Sequence, residues 1–155
     1  MLTQSQALQE AFAGFVVERR TAYLTKEQME QAAAMSGCRH ESAVVSYYLA
    51  RSSAGPVGAA FFESHRLRDG TETIMAVLAP DGRLARTEIL SFHEPADYLP
   101  SGKWRVSLLG RTLRELENVI SPIGASPRAT LSAQSFLEGV RRLMAVYEVA
   151  VKEKT

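Results

Sequence analysis

The chain has 155 residues, 46% of them hydrophobic, with 18 Lys and Arg against 17 Asp and Glu. That length and apolar content suffice for one sizeable core and are most economically a single domain over residues 1–155. A formal net charge of +1 with both signs interspersed leaves no basic face for nucleic acid, and no apolar run reaches the length of a membrane span.

Leu8, Ala11, Phe12, Phe15 and Val16 suit the apolar face of a helix over residues 4–17. Glu18 to Tyr23 reads as a short extended link. Thr25-Lys26-Glu27-Gln28 fits a capping box, in which Thr25 and Gln28 satisfy backbone donors reciprocally. Good helix formers follow to Met35, and Gly37 is placed to stop that helix in a left-handed conformation. The spacing thus predicts N-terminal helices over about 4–37.

From residue 42 the pattern changes. Ala43 to Ala50 is rich in β-branched and aromatic residues, and Ser52-Ser53-Ala54-Gly55-Pro56 interrupts it. Further strands are expected near Val57–Ser64, Glu72–Leu78 and Leu84–Phe92, with Asp81-Gly82 as a hairpin turn between the last two. These elements predict an α+β fold, a largely antiparallel sheet with helices against one face. Pro95, Pro100 and Gly102 mark a loop, Leu108–Leu116 reads as helical, and Ser121–Arg128 as irregular. The lone Cys38 excludes an internal disulfide and has no metal-ligand spacing around it. His40, His65 and His93 are far apart and do not read as a metal site, and the basic run His65-Arg66-Leu67-Arg68 reads as a solvated strand end.

The most informative stretch is the hydroxyl cluster running into the last helix. Phe136, Leu137, Val140, Leu143, Met144, Tyr147 and Val151 recur at three- and four-residue steps and form one apolar face. Ser132 or Thr130 is placed to cap the N-terminus. Most such clusters only cap, but unpaired amides and the positive end of the helix dipole also suit a phosphate ester.

Read with its surroundings, this junction resembles the signature of the FMN-binding domain family, which includes the flavin-carrying subunits of sodium-pumping NADH:quinone reductase and of Rnf-type complexes. The family's hallmark is Ser/Thr-Gly-Ala-Thr, then an aliphatic residue, Ser and a helix. In covalent members the threonine oxygen is joined to the FMN phosphate. Ala129-Thr130-Leu131-Ser132 matches the Ala-Thr-aliphatic-Ser part, which makes Thr130 the best match for the flavin-bearing position. Arg128 stands where the family has Gly, and Gly124-Ala125-Ser126 offers a second, out-of-register match, as though a short insertion had split the motif. Val77 to Leu84 resembles the family's Asp-Gly hairpin. Glu94-Pro95 and Tyr98 occupy the place of its Glu-Thr-Pro-Gly loop, and Trp104 with Leu108-Leu109-Gly110 resembles the hydrophobic stretch before the flavin motif. The resemblance spans about residues 42–150.

What the resemblance implies is an FMN-binding electron-transfer domain, a redox carrier rather than a stand-alone enzyme, with no catalytic or metal residues assigned. Thr130 would bear or contact the phosphate, with Ala129, Leu131, Ser132 and Ser126 around it and Arg128 as its ion partner. Glu94, Pro95, Tyr98 and Trp104 would face the ring. Implied partners are redox proteins, membrane-associated ones among them, and a flavin transferase where attachment is covalent. Implied localisation is periplasmic or extracytoplasmic if a leader has been removed, otherwise cytoplasmic. Arg128 and the split motif motivate the alternative, a module that holds FMN reversibly or has lost it and serves protein contact.

Overall fold

The computed structural model describes residues 1–152. Thr3 and Gln6 close a capping box that opens α1 (Gln4–Ala11). The helix is shorter than its apolar periodicity suggests. Gly14 takes φ 83°, a conformation that costs glycine little, and turns the chain. Val16 and Val17, expected at the helix end, instead begin β1 (Val16–Tyr23), and residues 18–23 are strand rather than link. Strand geometry wins because the segment pairs along its whole length, from Val16↔Arg51 to Tyr23↔Val44, and turns Ala22 into the core. The Thr25–Gln28 capping box does open α2 (Lys26–Ser36), and Gly37 ends it at φ 70°.

The remaining strands are β2 (Val44–Ser52), β3 (Gly55–Arg66), β4 (Thr71–Leu78) and β5 (Leu84–Phe92). With β1 they form one antiparallel sheet in chain order. At the Asp81-Gly82 turn, Gly82 has φ 94° and the Ala79 N–H donates to the Arg83 carbonyl at 2.9 Å. The Asp81 side chain accepts from the Arg83 N–H at 3.0 Å, so the aspartate shapes the turn as well as tolerating it.

Alternation along the strands divides the core between the two faces. Tyr47, Leu49, Phe61, Ile74, Ala76 and Leu78 point to the face covered by α2 and by α5 (Pro127–Val146). Phe136, Val140, Leu143, Met144 and Tyr147 reach down from the last helix, on the face its periodicity indicates. Phe61 is the hub. It stacks on Tyr47 with centroids 5.3 Å apart and meets Tyr147 edge-on at 6.3 Å. Its complete burial contributes about 2–3 kcal/mol. The opposite face is not bare: Ala7 and Phe12 at α1 pack against Ala50, Ala60, Met75, Val77 and Leu90. Helices therefore lie on both faces of the α+β fold, where the sequence suggested one.

Past β5 the chain makes a 3₁₀ turn at Ala96–Tyr98 and two short helices, α3 (Gly102–Ser107) and α4 (Leu113–Leu116). The expected 108–116 helix is broken because Gly110 sits at φ 83°. The α5 N-cap is Ser126, whose hydroxyl accepts from the Ala129 N–H, and Pro127 occupies the first helical position. Neither Thr130 nor Ser132 caps it. Proline at that first position needs no amide acceptor and has its φ already set, so the helix begins a full turn before the Thr-Leu-Ser run. After Val146 the helix widens into a π turn over Tyr147–Val151, where the Tyr147 hydroxyl donates to the Pro80 carbonyl at 2.8 Å. Among the described residues no helix is long and apolar enough to cross a membrane.

Candidate functional site

Three of the residues singled out by sequence converge at the entrance of α5. The Arg128 guanidinium donates to both Glu94 carboxylate oxygens at 3.1 Å and lies 4.8 Å from the centre of the Tyr98 ring. A fourth residue, Asp69 in the β3–β4 turn, accepts from the same guanidinium nitrogen at 2.6 Å. Sequence reading missed Asp69 because nothing local marks it. Only the pairing of β3 with β4 carries that turn to the helix. Asp69, then Glu94, raise the Arg128 pKa further above its ordinary value. The Arg128 side chain is partly exposed, whereas that of Glu94 is almost wholly buried, so Glu94 relies most on the pair.

The other expected residues divide. Ser126 stands at the mouth of the helix, preceded by Gly124 at φ 79°. Thr130 lies one turn inside, its N–H donating to the Ser126 carbonyl at 2.9 Å. Ala129 gives its N–H to the Ser126 hydroxyl at 3.2 Å. Leu131 is half exposed, while Ser132 is buried within the helix at 5% exposure. Pro95 supplies the carbonyl that closes the 3₁₀ turn onto the Tyr98 N–H. Trp104 sits apart from this group. Its ring packs edge-on against Phe136 at 6.2 Å and its Nε1–H donates to the Ile120 carbonyl, which makes it a clamp between the 101–123 segment and the core.

These residues can be set against what a flavin mononucleotide demands. Of the amides at the helix mouth, those of Ala129 and Thr130 are already used within the turn, which leaves the Arg128 N–H and the Ser126 hydroxyl closest to the helix end. Asp69, Glu94 and Arg128 together carry one net negative charge. A phosphate fits there only when Arg128 exchanges a carboxylate for it.

A second charged cluster lies further along α5. Glu63 accepts from Arg142 through both carboxylate oxygens, at 2.7 and 2.9 Å. His65 bridges Glu63 through Nδ1 at 2.9 Å and Glu72 through Nε2 at 2.7 Å. Glu63 and His65 are alternate residues of β3, and Glu72 is the register partner of His65 on β4, so all three share one face. Gly139 lets α5 come down onto them: a Cβ there would lie 2.6 Å from a Glu63 oxygen.

Burial opposes a charge on His65, but the two carboxylates outweigh it and lift its pKa to about 9. Burial likewise acts against the Glu63 carboxylate, and hydrogen bonds from Arg142 and His65 reverse this, so its pKa is lowered. Both His65 nitrogens are occupied, so the ring is a cationic tie between strands with no nitrogen left for proton transfer to a substrate. His40, by contrast, has its pKa lowered by burial and meets the buried Ser36 hydroxyl at 2.9 Å. Cys38 turns its thiol to the Ser36 carbonyl rather than to His40. Among the described residues no His, Cys, Asp and Glu group has the arrangement to hold a metal ion.

Beside this cluster the sheet opens. The β2–β3 ladder stops at Tyr47↔Phe61, although β1–β2 pairing continues to Val44 and β3–β4 pairing to Arg66. A cleft of about 890 Å³ occupies the gap, bounded by Val45, Ser46, Phe62, His65 and Arg142 among others. Residues 126–132 do not line it.

Compared with known proteins, the sequence matches no family model and no curated protein.

Proposed function

We propose that the chain is an FMN-binding electron-transfer domain that takes the phosphate end of the flavin at the entrance of α5. The observation that carries this reading is the meeting of Glu94, Tyr98 and Arg128, from separate segments, beside Ser126. In this reading Arg128 and the Ser126 hydroxyl hold the phosphate, Tyr98 offers an aromatic face, and Glu94 positions Arg128. The flavin supplies the redox chemistry, and the chain supplies anchoring and orientation. Partners are redox proteins, and an extracytoplasmic setting belongs to the same reading.

The test is titration of FMN with the full chain, following flavin fluorescence. Saturable quenching is expected, weakened by Arg128→Ala and tightened by Asp69→Asn, which removes one of the two carboxylates competing for the guanidinium. Intact mass after production alongside a flavin transferase then reads attachment. An added FMN mass lost in Ser126→Ala places the bond at Ser126, whereas loss in Thr130→Val places it at Thr130.

That two carboxylates already hold Arg128 favours a second reading, a flavin-free module for protein contact in which Arg128 only ties the β3–β4 turn to α5. No quenching by native protein or by Asp69→Asn establishes that reading and refutes the first.

A further inference from the structure

The face of the sheet opposite α5 is only half covered. Ala7 and Phe12 sit over Ala50, Ala60, Met75, Val77 and Leu90, which leaves the β1 side of that face open. There the end of α1, the turn at Gly14 and the start of β1 border a shallow, open trough of about 510 Å³. Leu8, Phe12, Phe15, Val17 and Tyr48 give it an apolar lining. Phe15 is 44% exposed and Val17 37%, well above what core packing alone leaves for such residues.

Among the described residues, the one charged side chain that lines this trough is Arg19. Its neighbour Glu18 does not neutralise it, because alternation turns Glu18 to the other face, where it pairs with Arg20 and Arg51. The Arg19 guanidinium donates to the Ser46 hydroxyl at 3.3 Å and has no carboxylate partner among the described residues. Arg19 and Tyr48 also border the large β2–β3 cleft, so the apolar trough and the cleft meet at this cation.

We propose that this trough binds a small amphiphilic anion, a free alkyl or aryl carboxylate or phosphate monoester. Its apolar body lies over Phe12, Phe15 and Val17, and its anionic head is held by Arg19. An apolar lining broken by a few polar groups, here Ser5, Gln9 and Arg19, is the usual composition of a small-molecule site. A single unpaired guanidinium selects an anion over a neutral or cationic head. The site lies on the face of the sheet away from α5, and the inference stands whether or not FMN binds.

The test uses the ¹⁵N-labelled full chain and ¹H–¹⁵N correlation spectra, titrated with octanoate, 1-octanol and octylammonium. Octanoate is expected to shift the amides of residues 8–19 and 46–48 saturably, with a dissociation constant about tenfold below that of octanol. Octylammonium binds more weakly still. Arg19→Gln removes the carboxylate preference and leaves octanol binding unchanged. If that variant fails to fold, the ranking of the three ligands on native protein still decides. Equal affinities, or shifts confined to other residues, overturn the proposal. So does a dilution series in which the same amides move without ligand, because a second copy then occupies the trough. Sedimentation with phosphatidylglycerol vesicles in the absence of any octanoate response also overturns it, in favour of a membrane surface.

Discussion

Protonated His65 is expected to hold a measurable share of the fold's stability, and to release it in alkaline solution. A rise in pKa from 6.5 to about 9, at about 1.4 kcal/mol for each tenfold in proton affinity, makes the charged ring worth roughly 3 kcal/mol. Because the folded value lies above the unfolded one, this stabilisation is fully present below about pH 6.5 and is lost as pH climbs through about 9. The physical causes are Glu63, hydrogen-bonded to Nδ1, and then Glu72, wholly buried, whose Oε1 is hydrogen-bonded to Nε2 and whose Oε2 has no partner among the described residues. Deprotonating the ring leaves that carboxylate uncompensated.

Glu63 acts in the opposite sense, since its lowered pKa makes it a stabilising group that fails as pH falls through the carboxylate range. Denaturant unfolding at pH 6.0 and 9.5 should therefore differ by roughly 3 kcal/mol, about 6–12 °C in Tm for a domain of this size. The difference is read against His65→Gln, which should show a much flatter profile. Equal slopes in the two proteins would refute the assignment of the proton to His65.

Gly139→Ala should destabilise by about 1–3 kcal/mol in denaturant unfolding, because its Cβ would meet Glu63 at 2.6 Å and Ile74 at 2.9 Å. An unchanged midpoint would mean that α5 does not sit so close. Ser126→Ala should cost about 1 kcal/mol as a lost cap, and Thr130→Val less than about 0.5 kcal/mol. The reverse ranking would put the helix start at Thr130. Tyr147→Phe removes the hydrogen bond to the Pro80 carbonyl and should cost about 1–2 kcal/mol by thermal unfolding. No loss of stability would show the carbonyl satisfied by solvent.

Elements whose signal is local were legible in the sequence. The Thr25–Gln28 box, the Gly37 stop, the Asp81-Gly82 turn, the Leu84–Phe92 strand and the apolar stripe of α5 each follow from propensity, special backbone angles or periodicity within a dozen residues. Within the candidate site, Glu94, Tyr98, Ser126 and Arg128 were singled out by the family resemblance and not by any local structural signal.

What only tertiary structure decided is whatever depends on partners distant in sequence. Val16–Tyr23 becomes strand because β2 is there to pair with it, and α1 goes to the far face because the α5 side is already filled. Asp69 reaches Arg128, and His65 lies between Glu63 and Glu72, through strand register that a single segment does not encode. The choice between Ser126 and Thr130 turned on where the chain could leave the loop at Pro127. Short-range chemistry determined the pieces; long-range pairing and the competition for buried surface determined which charges meet.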